Sequence, residues 1–195
     1  MDPLTQFSLG AAVAVAVSSR EQARWALLIG GVAGAAPDLD VLIRSAADPL
    51  LTLQYHRHFS HALIVAPLIG LCTAVLFKLL FFRSKLPFRQ SALFAVLGAL
   101  THGMLDACTS YGTTLYWPFS DVRESWNLIS VIDPIFTLPL VLLTLFAFIW
   151  RRPRFAQAAL IFCTFYFGFC GLQHLKATQV AEHLAAQRGH QPEQY

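Results

Sequence analysis

Ser91-Ala-Leu-Phe-Ala-Val-Leu-Gly-Ala-Leu-Thr-His-Gly-Met-Leu-Asp-Ala-Cys108 is a long apolar run interrupted by one imidazole and one carboxylate. Read as a helix, it puts His102 and Asp106 four residues apart, on one face, one turn above the other. An ionisable group in such a helix needs a partner, because an unpaired one costs several kcal/mol there. So placed, the two share a metal ion, or one orients the other.

Three further polar clusters sit as awkwardly beside apolar runs: Pro37-Asp38-Leu39-Asp40, His56-Arg57-His58-Phe59-Ser60-His61, and Asp133-Pro134. Any one of them alone is explained by backbone partners and water. Four together predict convergence on one site.

The composition fixes the class. The 195-residue chain is 56% hydrophobic and 13% charged, about half the charged share of a soluble domain, with mean hydropathy +0.55. These values predict an all-α, polytopic membrane bundle. Six apolar runs divide it: residues 7–17, 25–36, 62–82, 91–110, 128–150 and 155–172. The first two fall short of the ~20 residues that span a bilayer. Their small residues, among them Gly30, Gly31 and Gly34, suit close helix packing, so they are expected to form a tight hairpin of two short helices. Residues 41–55 are expected at the interface. Residues 111–127, rich in Trp and Tyr, form an interfacial loop. Residues 1–172 then make the embedded domain. Residues 173–195 form a polar tail, helical in pattern to about Arg188 and disordered beyond. The N-terminus has no basic stretch before its first apolar run, which predicts no removable signal peptide. Cys72, Cys108, Cys163 and Cys170 have no CxxC or zinc-finger spacing and are expected to be packing residues.

Charge distribution sets the topology. If the six runs alternate, Arg20, Arg24, Lys78, Arg83, Lys85, Arg89, Arg151, Arg152 and Arg154 fall on one side. By the positive-inside rule that side is cytoplasmic. All four polar clusters then fall towards the opposite face. The net charge of +3 is too small to argue for nucleic acid. The expected partners are the lipid bilayer and a lipid or lipid-linked substrate.

His with Asp, brought together from separate helices, is a donor set for zinc first, with manganese or iron as alternatives. Asp38 and Asp40 alternate across a turn and can ligate one ion each or bridge two. His56 and His61 flank a helix start, with His58 a rival for His56. Arg57 is either an anion clamp, by its bidentate guanidinium, or the ion-pair partner of Asp38, Asp40 or Asp133. Asp133 is a carboxylate that orients a histidine, a ligand, or a helix cap. Metal, carboxylates and an arginine at a lipid interface point to metal-assisted hydrolysis, with Asp40 or Asp106 as general base. Neither GxSxG nor HExxH occurs, which argues against a serine hydrolase or a zincin.

The ordered motifs also carry a resemblance. The opening Met1-Asp2-Pro3-Leu4-Thr5-Gln6 is followed by Gly34-Ala35-Ala36-Pro37-Asp38-Leu39-Asp40, His56-Arg57-x-x-Ser60-His61 and Thr101-His102-x-x-x-Asp106. Thr109-Ser110-Tyr111-Gly112-Thr113, Trp117-Pro118-Phe119-Ser120 and Asp133-Pro134 complete the set. Over residues 1–140 this resembles the YdjM-like family of inner-membrane, metal-dependent hydrolases. The resemblance implies a multi-pass protein of the bacterial cytoplasmic membrane. It implies metal ligation by Asp38, Asp40, His56, His61, His102 and Asp106, with one or two ions. His58 departs from the family pattern, so no role passes to it. The HxxxD pattern with upstream Asp and His is similar to the ligand pattern of zinc-dependent phospholipase C, which points to a phosphoester. Two other functions use the same residues: a transit site for metal ions or protons, and a structural metal staple. Transport requires polar residues through the cytoplasmic half, where residues 71–77, 93–97 and 140–148 are apolar apart from Thr73 and Thr144.

Overall fold

The computed structural model describes residues 1–45, 47–48, 50, 55–81 and 86–188. Among these it is all-helical: α1 (Pro3–Ala16), α2 (Ala23–Ala35), α3 (Ala66–Leu80), α4 (Phe88–Ala107), α5 (Pro134–Trp150) and α6 (Pro153–Gln187). Two 3-10 turns, Ala36–Leu42 and Phe59–His61, lie between α2 and α3. The β-structure among the described residues is two isolated bridges, Thr109 with Ile129 and Thr113 with Glu124. They tie down the loop expected at 111–127. The predicted disorder of 189–195, and residues 46, 49 and 51–54 of the interfacial segment at 41–55, lie outside the described residues.

Two helices start by the same device. Asp2 and Asp133 each precede a proline, whose fixed φ and missing N–H suit the first helical position, and each caps with its carboxylate. Asp2 accepts from Thr5 N at 3.0 Å. Asp133 Oδ1 accepts from Ile135 N at 3.1 Å and Phe136 N at 3.2 Å, and its Oδ2 accepts from the Tyr166 hydroxyl at 2.7 Å. Asp133 is therefore a cap and an α5–α6 tie, and it does not join the other polar clusters. Asp133→Ala is expected to lower stability by about 1–2 kcal/mol without changing metal content, measured by detergent unfolding and elemental analysis.

α1, α2 and α4 form the centre, with α3 against α4 on one side and α5 and α6 against α1 on the other. Glycine makes this centre thin. A Cβ on Gly98 of α4 would fall on the backbone of Gly30 in α2, and one on Gly10 would lie 2.6 Å from the Gly30 carbonyl oxygen. Backbones this close admit no side chain. The core around them is Ala14, Val15, Ala26, Ile29, Phe94 and Ala95.

α2 with its 3-10 extension, Ala23–Leu42, and α6 are long and apolar enough to cross a membrane; α1, α3 and α5 are apolar but shorter. Large apolar side chains point outward on α3 (Leu68, Leu79), α5 (Ile135, Leu138) and α6 (Ile161, Phe165), each more than half exposed. The polar residues from Gln173 onward continue α6 to Gln187. Cys108 and Cys163 are buried, Cys72 is exposed, and all four thiols are free.

Candidate metal centre

Pro37 ends α2 in a 3-10 turn whose tighter pitch turns Asp38 and Asp40 back towards α4. The helix expected to begin at residue 62 begins at Ala66, so His61 belongs to the separate turn Phe59–His61. α4 presents His102 and Asp106 from one face, as their spacing predicts. Four side chains meet. His61 Nε2 lies 3.1 Å from Asp106 Oδ2 and 3.6 Å from Asp38 Oδ1. His102 Nε2 lies 3.5 Å from both Asp38 Oδ1 and Asp106 Oδ2. One donor atom from each falls within 4.8 Å of the others.

These facing atoms are left unused by the protein. His61 Nε2, His102 Nε2 and Asp106 Oδ2 are buried and have no hydrogen-bond partner among the described residues. Even the 3.1 Å pair is not aligned for one. The opposite edge of each imidazole is firmly held. His102 Nδ1 lies 2.6 Å from the Gly34 carbonyl, which only accepts, so Nδ1 carries the proton and Nε2 a lone pair. His61 Nδ1 lies 3.0 Å from Ser60 Oγ and 3.3 Å from Asp40 Oδ2. A histidine oriented this way by a carbonyl or carboxylate is how proteins prepare a metal ligand. Burial opposes a charge on His61, yet Asp106 and Asp38 outweigh it and raise its pKa above the ordinary histidine range. The pocket calls for a cation. Two carboxylates and two imidazoles fit a divalent ion of the zinc or manganese kind in number and chemistry.

The remaining predicted residues stand one step back. Asp40 is hydrogen-bonded at both oxygens: Oδ1 bonds His56 Nδ1 at 2.9 Å, and Oδ2 accepts from Arg57 N at 2.9 Å and Ser60 Oγ at 2.8 Å. It stands behind His61, outside the four residues whose donor atoms converge. His56 therefore stands outside the quartet, bonded to Asp40 and partly exposed. Asp106, the other predicted base, is fully buried. Its Oδ1 accepts from Gln6 Nε2 at 3.0 Å and pairs with the Met1 amino group, and its Oδ2 faces the quartet. Among the described residues the Arg57 guanidinium pairs with none of Asp38, Asp40 or Asp133; its ion-pair partner is Asp106, at 3.6 Å. Arg123 donates to the His56 carbonyl at 3.2 Å from an exposed position. His58 turns away to rings of Tyr55, Phe59 and Trp117.

Sequence reading placed Gln6 and Ser60 in its motifs but gave neither a role at the site. Gln6 was visible as a polar side chain in an apolar helix, which buries at a cost unless bonded; it is fully buried and bonded to Asp106. The Asp40 role predicts that Asp40→Asn keeps the quartet and weakens metal affinity by about 10–100-fold, read by competition against a chelator. An unchanged affinity would remove Asp40 from the centre's support.

A family model described as YdjM inner membrane protein matches residues 1–177, and the chain belongs to that family. No curated protein and no solved structure matches it.

Proposed function

We propose that this member of the YdjM inner membrane protein family is a metal-dependent hydrolase, with its centre near the non-cytoplasmic face of a multi-pass bundle. The observation that carries the reading is the set of three buried donor atoms without hydrogen bonds, each on a side chain anchored at its other end. Such atoms cost about 1–3 kcal/mol each if left empty, and an ion relieves all three at once.

Asp38, His61, His102 and Asp106 would hold the ion, zinc before manganese or iron. When bound, a divalent ion supplies Lewis-acid polarisation of a scissile group and activation of water. The chain supplies the rest. Gly34 and Ser60, the latter donating to Asp40, fix the imidazole tautomers, and Gln6 fixes the carboxylate of Asp106. The Asp38 side chain, 23% exposed, leaves a way in. His56 is held by Asp40 at 2.9 Å and is partly open to solvent, which suits it to exchange the proton in place of Asp40. Residues 111–121 pack over Arg57 and His56 through Tyr111 and would cover the site. The core on the far side, between α1, α2 and α4, is apolar, which favours a one-sided pocket over a transport path. The outward apolar side chains of α3, α5 and α6 and the one-sided basic loops support several crossings by short helices, with the bilayer and a membrane-borne substrate as partners.

Elemental analysis of the detergent-purified protein, as isolated and after reconstitution with zinc, manganese and iron in turn, tests the reading. One equivalent of ion, and turnover that a chelator abolishes, is the expected result. No bound ion under any of these conditions would overturn it. The bundle is tested separately: a cysteine at Arg89 that labels from outside intact cells would reverse the topology.

A further inference from the structure

Beside the quartet sits a cation whose donors are barely used. Arg57 is 5% exposed and offers five N–H groups. Among the described residues its side chain makes one hydrogen bond, from Nη1 to Thr109 Oγ1 at 3.4 Å. Nε is buried with no partner. Nη2 stops 3.6 Å from Asp106 Oδ1, too far for a hydrogen bond and short of an oxygen that Gln6 already holds.

The backbone is arranged to aim this side chain. Arg57 has φ +59°, a left-handed conformation that L-residues rarely adopt. Asp40 holds its N–H at 2.9 Å, and Thr114 N and the Thr113 and Thr114 hydroxyls donate to its carbonyl at 3.3–3.4 Å. The Tyr111 ring lies 4.5 Å from the guanidinium carbon and covers one face, which leaves the N–H edge as the reactive side.

We propose that Arg57 is an oxyanion receptor, and that the group hydrolysed at this centre is a phosphate ester. The proposal rests on the hydrolase reading and names its substrate class. A carboxylate also suits the guanidinium, but it carries a single charge against nearly two on a phosphate monoester and is not itself cleaved; a neutral ester or amide becomes anionic only in its transition state. A phosphate ester is both anionic and scissile, with one non-bridging oxygen to spare for Arg57. Its hydrolysis adds water across the P–O ester bond. Phosphorus gains the hydroxyl, and the leaving alkoxide takes the remaining proton.

Equilibrium dialysis of labelled inorganic phosphate against the metal-loaded, detergent-purified full chain tests this without any turnover. The wild type is expected to bind phosphate, and equal acetate is not expected to displace it. Arg57→Met should weaken phosphate binding by about 30-fold or more, with metal content unchanged. Arg57→Lys, which keeps the charge without the fork, should lose about 10-fold and serves if the methionine variant does not fold. No phosphate binding by the metal-loaded wild type, or binding unchanged in either variant, would overturn the proposal. Metal content is measured first, so failure of the hydrolase reading is seen separately. Displacement of the label by phosphatidate micelles would assign a lipid headgroup, and displacement by glycerol phosphate alone a soluble ester. Displacement by neither would overturn the ester assignment.

Discussion

His102→Ala is expected to abolish stoichiometric metal binding, whereas His56→Ala is expected to leave it intact. The two histidines look alike in sequence, and the predicted difference is a matter of geometry. His102 contributes one of four donors that lie within 4.8 Å of each other. His56 spends Nδ1 on Asp40 at 2.9 Å, and its ring centroid is 6.2 Å from that of His61. Structural zinc sites supply about 10–16 kcal/mol. Dividing that among four donors gives ~2.5–4 kcal/mol for one, or roughly a hundredfold to a thousandfold in affinity. Elemental analysis after dialysis against a weak chelator reads the loss, and circular dichroism checks that the helices remain. Asp106→Ala should fall further, because it also strips the partner from Gln6; Asp106→Asn keeps that acceptor and isolates the charge. A full equivalent of ion retained by His102→Ala would place the metal elsewhere. Retention by His56→Ala with turnover lost would fit its proton-exchange role, and loss of metal in His56→Ala would return it to the ligand set.

How much of this was legible in the chain depends on the range of the interactions. The 3.6-residue period is local, so the pairing of His102 with Asp106 and the helices themselves could be read directly. Asp133-Pro134 carries the same local signal as Asp2-Pro3, a cap followed by proline. Only tertiary geometry separates such a cap from a ligand. Asp38 and Asp40 differ by two residues, and the 3-10 turn decides which faces α4 and which stands behind His61. Nothing in composition or period encodes that choice. The same limit hid Ser60, whose hydroxyl matters only because Asp40 arrives 2.8 Å away from a distant turn. Arg57 was legible as a cation near the site. Its left-handed backbone, which aims it, was not.

Gly103→Ala is the second large effect expected, and it arises from the residue between the two ligands of α4. A Cβ at position 103 would fall on the carbonyl oxygen of His61 and lie 3.2 Å from Leu115 Cδ1. Carbon and carbonyl oxygen ordinarily keep about 3.3–3.6 Å apart, so the His61 turn would have to move by about 1 Å. It has little freedom to do so. His61 N donates to the His58 carbonyl at 3.1 Å, Ala62 N to Phe59 at 3.2 Å and Leu63 N to Leu115 at 3.0 Å. Two terms of opposite sign compete. Alanine for glycine inside a helix gains about 1 kcal/mol, while overpacking against fixed backbone costs about 1–3 kcal/mol. Stability should therefore change little or fall by up to about 2 kcal/mol. Metal binding is far less tolerant, because ligand distances must hold to about 0.2 Å. A shift five times that size should cost about 100-fold or more in affinity. Gly171→Ala in α6, where a Cβ meets nothing within 4 Å, is the matched control and should leave metal affinity unchanged. A Gly103→Ala protein that binds metal as the wild type does would mean that the His61 turn yields freely, and the rigid placement of His61 against α4 would have to be given up.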